Sequence, residues 1–249
     1  MTPLAASGGP AGSGKRPFIV AIDGPAGAGK STASRRLAAR LRFAMVDTGA
    51  IYRAVALAAS RAGIAYDDPR SLAGLLPGLQ IRFEPPPPSN PAGGQRVLLG
   101  EEDVSLAIRT PPMSLGASAV SAQPVVRSGL LDLQRRLAKA PGNRGAVLEG
   151  RDIGTVVFPD ADAKFFLTAS PEVRARRRFE ELRQKGDAST FEEVLAEQLK
   201  RDRDDSERPV APLKPAPDAV IVDTSDIAID EVVERLAREV ESRLAARPR

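Results

Sequence analysis

The chain has 249 residues, of which 42% are hydrophobic and 27% charged, with a formal net charge of +4, and this predicts a globular protein with a sizeable core. It contains no Cys and no His, which excludes disulfides, thiolate metal sites, cysteine nucleophiles and histidine bases. Most of the 36 basic residues are Arg, which favours contacts to phosphate or carboxylate, whereas 8 Phe, 2 Tyr and no Trp argue against a nucleic-acid partner.

The first stretch of the chain is rich in Gly, Ala, Ser and Pro. Residues 1–16 are predicted to form a disordered tail, because they offer little apolar surface to bury. The tail lacks the apolar run of a signal peptide, and no segment approaches the ~20 apolar residues of a membrane helix. We therefore expect a cytoplasmic protein that has no membrane partner.

Five short apolar runs predict strands that are buried on both faces of a parallel sheet. Helical patterns separate most of these runs, which lie at 18–23, 43–47, 146–149, 164–168 and 219–223. Helices are expected at 31–41, at 50–62, from Pro171 to a stop at Gly186, and from a capping box at Thr190 to about 203. The alternation indicates a doubly wound α/β fold, whose ligands bind beyond the carboxyl ends of the strands.

The alternation fails between residues 64 and 110. Runs of β character at 79–84 and 96–99 flank a proline-rich connector at 85–94, as in a small antiparallel hairpin. We therefore predict an insertion over 64–110 in a core domain formed by 17–63 and 111–249.

A phosphate-binding loop follows the first strand. Gly24-Pro-Ala-Gly-Ala-Gly-Lys30-Ser31 satisfies G-x-x-x-x-G-K-[ST], and a helix follows it as the mechanism requires. Lys30 is expected to act in catalysis at the β- and γ-phosphates of ATP, and the Ser31 hydroxyl to bind Mg²⁺. The predicted ATP contacts are Gly24, Pro25, Ala26, Gly27, Ala28, Gly29, Lys30, Ser31 and Thr32. A near-copy at 9–16 lacks a preceding strand and has Arg16 in place of Ser or Thr, so we assign it to the tail.

Candidate acceptor residues follow the second and third core strands. No N-K-x-D motif is present, which argues against a GTPase. Arg53, at the start of a helix beside the loop, suits an acceptor phosphate, although a solvated helix residue would have the same spacing. Arg151 and Asp152 lie on a Gly-flanked loop at the carboxyl edge of the sheet, where Asp152 could instead cap a turn.

Two later helices carry charged residues at helical spacing. Arg174, Arg177 and Arg178 would share one face of a lid, at about 171–187, that closes on polyphosphate, and we expect all three to act in catalysis. Exposed arginines paired with Glu180 and Glu181 are the alternative. On the next helix Arg201, Asp205 and Arg208 recur on one face, and a surface salt-bridge ladder would give the same spacing.

Taken together, five blocks resemble the bacterial cytidylate kinases of the longer type. These blocks are GPAGAGKST, DTGAIYR, EGRDIGTVVFP, SPEVRARRR and RDRDDSERPVAPL, and the match runs from about Phe18 to the C-terminus. The resemblance implies a P-loop kinase that transfers the γ-phosphoryl group of ATP to CMP or dCMP with Mg²⁺, and we expect a monomer.

The resemblance also implies roles for individual residues. Arg53 and Arg151 would hold the CMP phosphate, with Arg151 also catalytic. Ser118, Arg127 and Asp152 would read the cytosine edge with Arg208 alongside, and Tyr52, Arg201 and Asp205 would lie near the sugar. Thr48 and Arg109 complete the expected CMP set.

Physical chemistry supports a reader of cytosine. The base offers an amine donor beside two acceptors, which a carboxylate and Arg or Ser complement, whereas uracil would place a carbonyl against Asp152. Two rivals remain open. One is a P-loop kinase for another acceptor, such as AMP, UMP or a small metabolite. The other is a non-catalytic nucleotide switch or RNA-binding regulator, which the pI of about 9.7 would suit.

Overall fold

The computed structural model describes residues 16–84, 95–184 and 186–247. The predicted tail, apart from Arg16, and the proline-rich connector lie outside the described residues. Arg16 pairs with Asp162 at 2.9 Å, two residues before the first strand begins.

The strands are β1 (Phe18–Asp23), β2 (Ala44–Asp47), β3 (Ile81–Glu84), β4 (Arg96–Leu99), β5 (Glu102–Asp103), β6 (Gly145–Glu149), β7 (Ala163–Thr168) and β8 (Val220–Asp223). The helices are α1 (Lys30–Leu41), α2 (Thr48–Arg61), α3 (Pro69–Leu75), α4 (Pro111–Ser121), α5 (Pro124–Ala138), α6 (Pro171–Gln184), α7 (Phe191–Glu207) and α8 (Ile229–Ala246).

The main sheet has five strands in the order β2-β6-β1-β7-β8, and every neighbouring pair is parallel. All five predicted core strands are confirmed, with small differences at their first residues. The central strand β1 is buried along its whole length, as expected of a parallel strand covered on both faces. The predicted doubly wound α/β fold is therefore correct.

Helices cover both faces of this sheet. Phe18, Val20 and Ile22 point to one face and pack in a cluster with residues of α1 and α8. Ile19 and Ala21 point to the other face, in a cluster that includes α5. This alternation follows from the two-residue period of a strand. Because neighbouring strands are parallel, the carboxyl ends of β1, β2 and β6 lie at one edge of the sheet.

The insertion is a three-stranded antiparallel sheet in the order β3-β4-β5, as the sequence predicts. Glu84 pairs in register with Arg96, and the two side chains form an ion pair at 2.9 Å. The structure adds the short helix α3, which Asp68 caps and Pro69 begins. Its Leu72 is fully buried in a hydrophobic cluster that also includes residues of α2, α4 and α5. The insertion thus shares a core with these helices, and the domain division stays a prediction.

Helix boundaries follow local signals. The predicted capping box is present, because Glu193 N donates to Thr190 Oγ1 at 3.2 Å and Thr190 N donates to Glu193 Oε2 at 2.8 Å. Gly186 adopts a φ of 78° just after α6, which is the conformation that favours glycine beyond a helix end. Helix α7 extends to Glu207, four residues beyond its predicted end. Within the described ranges, no helix is both long and apolar enough to cross a membrane.

Candidate active site

The phosphate-binding loop joins β1 to α1 at the carboxyl edge of the sheet. Gly24 adopts a φ of 143°, and a Cβ at this position would lie 1.9 Å from the carbonyl oxygen of Leu167, so only glycine fits there. Gly29 caps α1 in the left-handed conformation, and the first turn of α1 contains no acidic residue. The positive end of the helix is therefore free to face an anion.

Lys30 lies inside this loop and is only 7% exposed. Its Nζ donates to the carbonyl oxygen of Pro25 at 2.6 Å. Burial lowers the pKa of Lys30 well below its usual value, and the charge of Arg151 lowers it further, whereas Glu149 opposes the shift. A buried ammonium group in this position is stabilised when an anion enters the loop.

Two acidic residues at the carboxyl ends of neighbouring strands, Asp47 of β2 and Glu149 of β6, were not singled out by sequence reasoning. Glu149 ends β6, the strand next to β1, and its carboxyl group lies close enough to the Ser31 side chain for Ser31 to lower its pKa. Burial raises the pKa of Glu149 to about 7, with a further contribution from the charge of Asp47. The sequence did contain a signal for this placement. Glu149 is the last residue of a predicted strand, and the carboxyl ends of adjacent parallel strands meet at one edge of the sheet.

Oxygen atoms of Ser31, Glu149 and Asp47 are of the type that Mg²⁺ prefers. Within the described ranges, no group of three or more acidic side chains is arranged to hold a metal by itself. The residues therefore fit a Mg²⁺ ion that takes most of its ligands from nucleotide phosphates and water, as is usual for this ion.

Three arginines, Arg53, Arg151 and Arg201, lie close enough to influence one another electrostatically and form a basic cluster. Arg53 pairs with Asp47 at 2.9 Å, and Arg151 pairs with Asp205 at 2.8 Å. Burial, and after it the neighbouring charge of Arg151, lower the pKa of Arg201 to about 10. The buried Nε atoms of Arg53 and Arg201 have no hydrogen-bond partner in the described part of the chain. This cluster has unused donors and excess positive charge, which suits a second anion.

A buried ion pair lines the same cavity as the loop and this cluster. Arg127 donates to Asp152, and the two residues are 8% and 5% exposed. Arg127 also donates to the carbonyl oxygen of Ser121 at 3.0 Å, and its guanidinium lies 5.7 Å from the centre of the Tyr52 ring. Arg208 lies nearby, and its Nη2 is buried without a hydrogen-bond partner among the described residues. This part of the cavity therefore offers hydrogen-bond donors from arginine and an acceptor carboxylate, all of them buried.

The predicted lid arginines do not share one environment. Arg177 donates to the Thr224 carbonyl at 2.5 Å, and Arg178 pairs with Glu181 at 3.1 Å, as the alternative interpretation of this helix proposed. Arg174 is buried and pairs with Asp202 at 2.6 Å. It does not line the cavity, so the structure gives no support to direct contact between Arg174 and polyphosphate.

One cavity of about 720 Å³ joins these parts. Most predicted site residues line it, and they are Ala26, Gly27, Ala28, Gly29, Lys30, Ser31, Thr32, Thr48, Tyr52, Arg53, Ser118, Arg127, Arg151, Asp152, Arg177, Arg178, Arg201, Asp205 and Arg208. Four do not, and these are Gly24, Pro25, Arg109 and Arg174. Arg109 is exposed in a 3₁₀ turn of the insertion. The alternative of a surface salt-bridge ladder does not hold, because Asp205 on α7 and Arg208 at its C-cap are buried.

Comparison with known proteins assigns the family. The family model described as cytidylate kinase matches residues 20–242. A cytidylate kinase of Geobacter sulfurreducens is 52% identical over 236 residues, which cover 95% of this chain and 98% of the relative. Those of Syntrophotalea carbinolica and an Exiguobacterium species are 52% and 48% identical, over 92% and 91% of this chain and 94% and 98% of the relatives. This chain therefore belongs to the cytidylate kinase family.

Proposed function

We propose that this protein transfers the γ-phosphoryl group of ATP to the phosphate of CMP or dCMP, giving ADP and CDP or dCDP. The observation that supports this most directly is that the loop around Lys30 and the cluster of Arg53, Arg151 and Arg201 line one cavity. Two anion sites that share one cavity are what a phosphoryl transfer between two nucleotides requires.

On the donor side, backbone N–H groups of the loop and the first turn of α1 would hold the ATP phosphates. Lys30 would leave the carbonyl oxygen of Pro25 and donate to the β- and γ-phosphates. The phosphates would then pair with its buried charge. Mg²⁺, held beside Ser31 and Glu149, would neutralise part of the phosphate charge.

On the acceptor side, Arg53 and Arg151 would hold the CMP phosphate in line with the γ-phosphorus. An oxygen of that phosphate would form a new bond to the γ-phosphorus. The bond between the γ-phosphorus and the oxygen that bridges it to the β-phosphate would break, and ADP would leave. Because the attacking oxygen is already anionic near neutral pH, no general base is needed, which is consistent with a chain that has no His. Arg177 and Arg178 line the same cavity and would add positive charge to the transferring group.

At the base end, Asp152 would accept from the exocyclic amine of cytosine. Arg127, Ser118 and Arg208 would donate to its ring nitrogen and carbonyl. Uracil carries a carbonyl in place of the amine, so the Asp152 carboxylate would face another acceptor. A buried unpaired polar group is costly, and discrimination against UMP follows.

A coupled assay of ADP release tests this proposal. ATP and Mg²⁺ are supplied with CMP, dCMP, UMP, AMP or GMP, and the Lys30→Met variant, prepared identically, controls for contaminating kinases. We expect CMP and dCMP to give the highest kcat/KM. Preference for another acceptor would overturn the substrate assignment. Salt-dependent RNA binding without any transfer would favour a regulator instead.

Three further expectations from the sequence stay predictions. These are a monomeric state, a cytoplasmic location, and the absence of nucleic-acid and membrane partners. Gel filtration and fractionation of cells would test the first two, and binding assays with RNA and with anionic vesicles would test the third.

A further inference from the structure

Five consecutive carbonyl oxygens of the phosphate-binding loop, those of residues 25–29, accept hydrogen bonds. The carbonyl of Pro25 accepts from Lys30, that of Gly27 from Arg177 at 3.4 Å, and that of Ala28 from Thr224 Oγ1 at 3.2 Å. The carbonyl of Gly29 accepts from a backbone N–H within α1. Most of these donors come from elements outside the loop, so the surrounding fold constrains the loop's peptide planes.

The carbonyl of Ala26 is held most firmly. It accepts from Gln198 Nε2 at 2.8 Å and from Arg174 Nη1 at 3.1 Å. These two side chains come from different helices, α7 and α6, and both are buried, at 6% and 4% exposure. Arg174 is itself fixed by its bond to the Ala169 carbonyl at 2.9 Å and its ion pair with Asp202 at 2.6 Å.

Fixing this carbonyl also fixes an N–H group. In a planar trans peptide, the C=O of Ala26 and the N–H of Gly27 point in opposite directions. Donors that hold the carbonyl on the α6 and α7 side therefore direct the Gly27 N–H away from these helices. Gly27 lines the cavity, and N–H groups turned inward are what a loop of this kind uses to bind phosphate.

We propose that Gln198 and Arg174 are positioning residues that orient the Ala26–Gly27 peptide for binding of the donor phosphates, with Asp202 holding Arg174 in place. We call these three residues the Ala26 anchor. This inference rests on the proposed function, because it assigns the loop to the phosphates of ATP. It also gives Arg174 a role that does not require contact with polyphosphate.

Within the Ala26 anchor, Gln198 lines the cavity, whereas Arg174 and Asp202 do not. A change at Asp202 can therefore reach bound nucleotide only through Arg174 and the loop. Asp204 lies two residues away on the same helix and forms an exposed pair with Lys200 at 2.7 Å. Asp202→Asn and Asp204→Asn are therefore matched variants, of which only the first disturbs the anchor.

The test measures the affinity for a non-hydrolysable ATP analogue, adenylyl imidodiphosphate with Mg²⁺, by calorimetry at a temperature where each variant is folded. Gln198→Leu keeps most of the side-chain volume and loses the donor, so we expect the analogue to bind about threefold to tenfold more weakly. Asp202→Asn should weaken it in the same direction, and Asp204→Asn should not. The KM for CMP should stay within about twofold of the wild-type value in all three. If Gln198→Leu fails to fold, Gln198→Met provides the same comparison.

A purely structural role predicts a different pattern. A lower melting temperature with unchanged affinity for the analogue would overturn the inference, as would an equal loss for Asp202→Asn and Asp204→Asn. Because binding of the analogue requires no transfer, the comparison does not depend on the acceptor. Failure of the proposed function would instead appear as a wild-type protein that binds the analogue and does not phosphorylate CMP.

Discussion

The base-reading role of Asp152 is tested by the Asp152→Asn variant. Asn occupies the same volume as Asp but has one carbonyl acceptor in place of two carboxylate oxygens. In the wild-type protein Arg127 uses one of these oxygens, which leaves the other for the amine of cytosine. In the variant, Arg127 and cytosine compete for one oxygen, and the new amide NH₂ can donate to the carbonyl of uracil.

The size of the effect follows from the burial of the pair. A hydrogen bond to a charged group contributes about 1.5–3 kcal/mol, which corresponds to a loss of roughly tenfold to 150-fold in kcat/KM for CMP. UMP should lose little or gain. Arg127 keeps its bond to the Ser121 carbonyl and its contact with the Tyr52 ring, so the variant retains part of the support for the buried guanidinium.

The informative quantity is the ratio of kcat/KM for CMP to that for UMP, measured by steady-state ADP release. Both values come from one preparation, so any fraction of misfolded variant cancels in the ratio. Asp160→Asn, an exposed change in a nearby turn, is the control and should leave the ratio unchanged. A ratio in Asp152→Asn equal to that of the wild type would refute base reading by this carboxylate.

Three further predictions concern catalysis, pH and helix stability. Lys30→Met should lower kcat by orders of magnitude while the melting temperature is kept or raised, because a buried amine is removed; near-normal turnover would contradict the assigned role. Burial raises the pKa of Asp23 from 3.8 to about 6, so its contribution to stability is present below pH 3.8 and is lost as the pH rises through 6. The free energy of unfolding of Asp23→Asn, measured in urea, should therefore rise by about 2 kcal/mol relative to that of the wild type between pH 4 and pH 7. If the two proteins lose stability in parallel over this range, the pKa of Asp23 is not raised. Thr190→Ala should reduce the free energy of unfolding by about 1 kcal/mol through loss of the capping box, without changing kcat.

Local signals were sufficient for much of the fold. The strand, loop and helix around Lys30 were predicted from adjacent residues, because periodicity and glycine placement are properties of a short segment. The capping box at Thr190 was predicted for the same reason. Helix α3 was missed because it is short, and its only buried residue, Leu72, gives no periodic pattern.

Contacts between distant segments were harder to predict. The spacing of Arg174, Arg177 and Arg178 correctly indicates a helix, but spacing on one helix cannot show that Asp202 of another helix neutralises Arg174. The position of Glu149 beside Ser31 depends on β6 being the neighbour of β1. The order of strands in a sheet cannot be predicted from the sequence of either strand alone. Predictions were therefore strongest where the partners lie within one turn or one strand of each other.

The insertion hairpin has a consequence for how this protein tolerates change. Glu84 and Arg96 close the hairpin with a paired register and an ion pair, and neither residue lines the cavity. Once the two strand ends are joined in this way, lengthening the connection between them raises the entropic cost by only about 0.6 kcal/mol for each doubling. A reporter peptide inserted between these two strand ends is therefore expected to cost little stability, and urea unfolding would measure that cost.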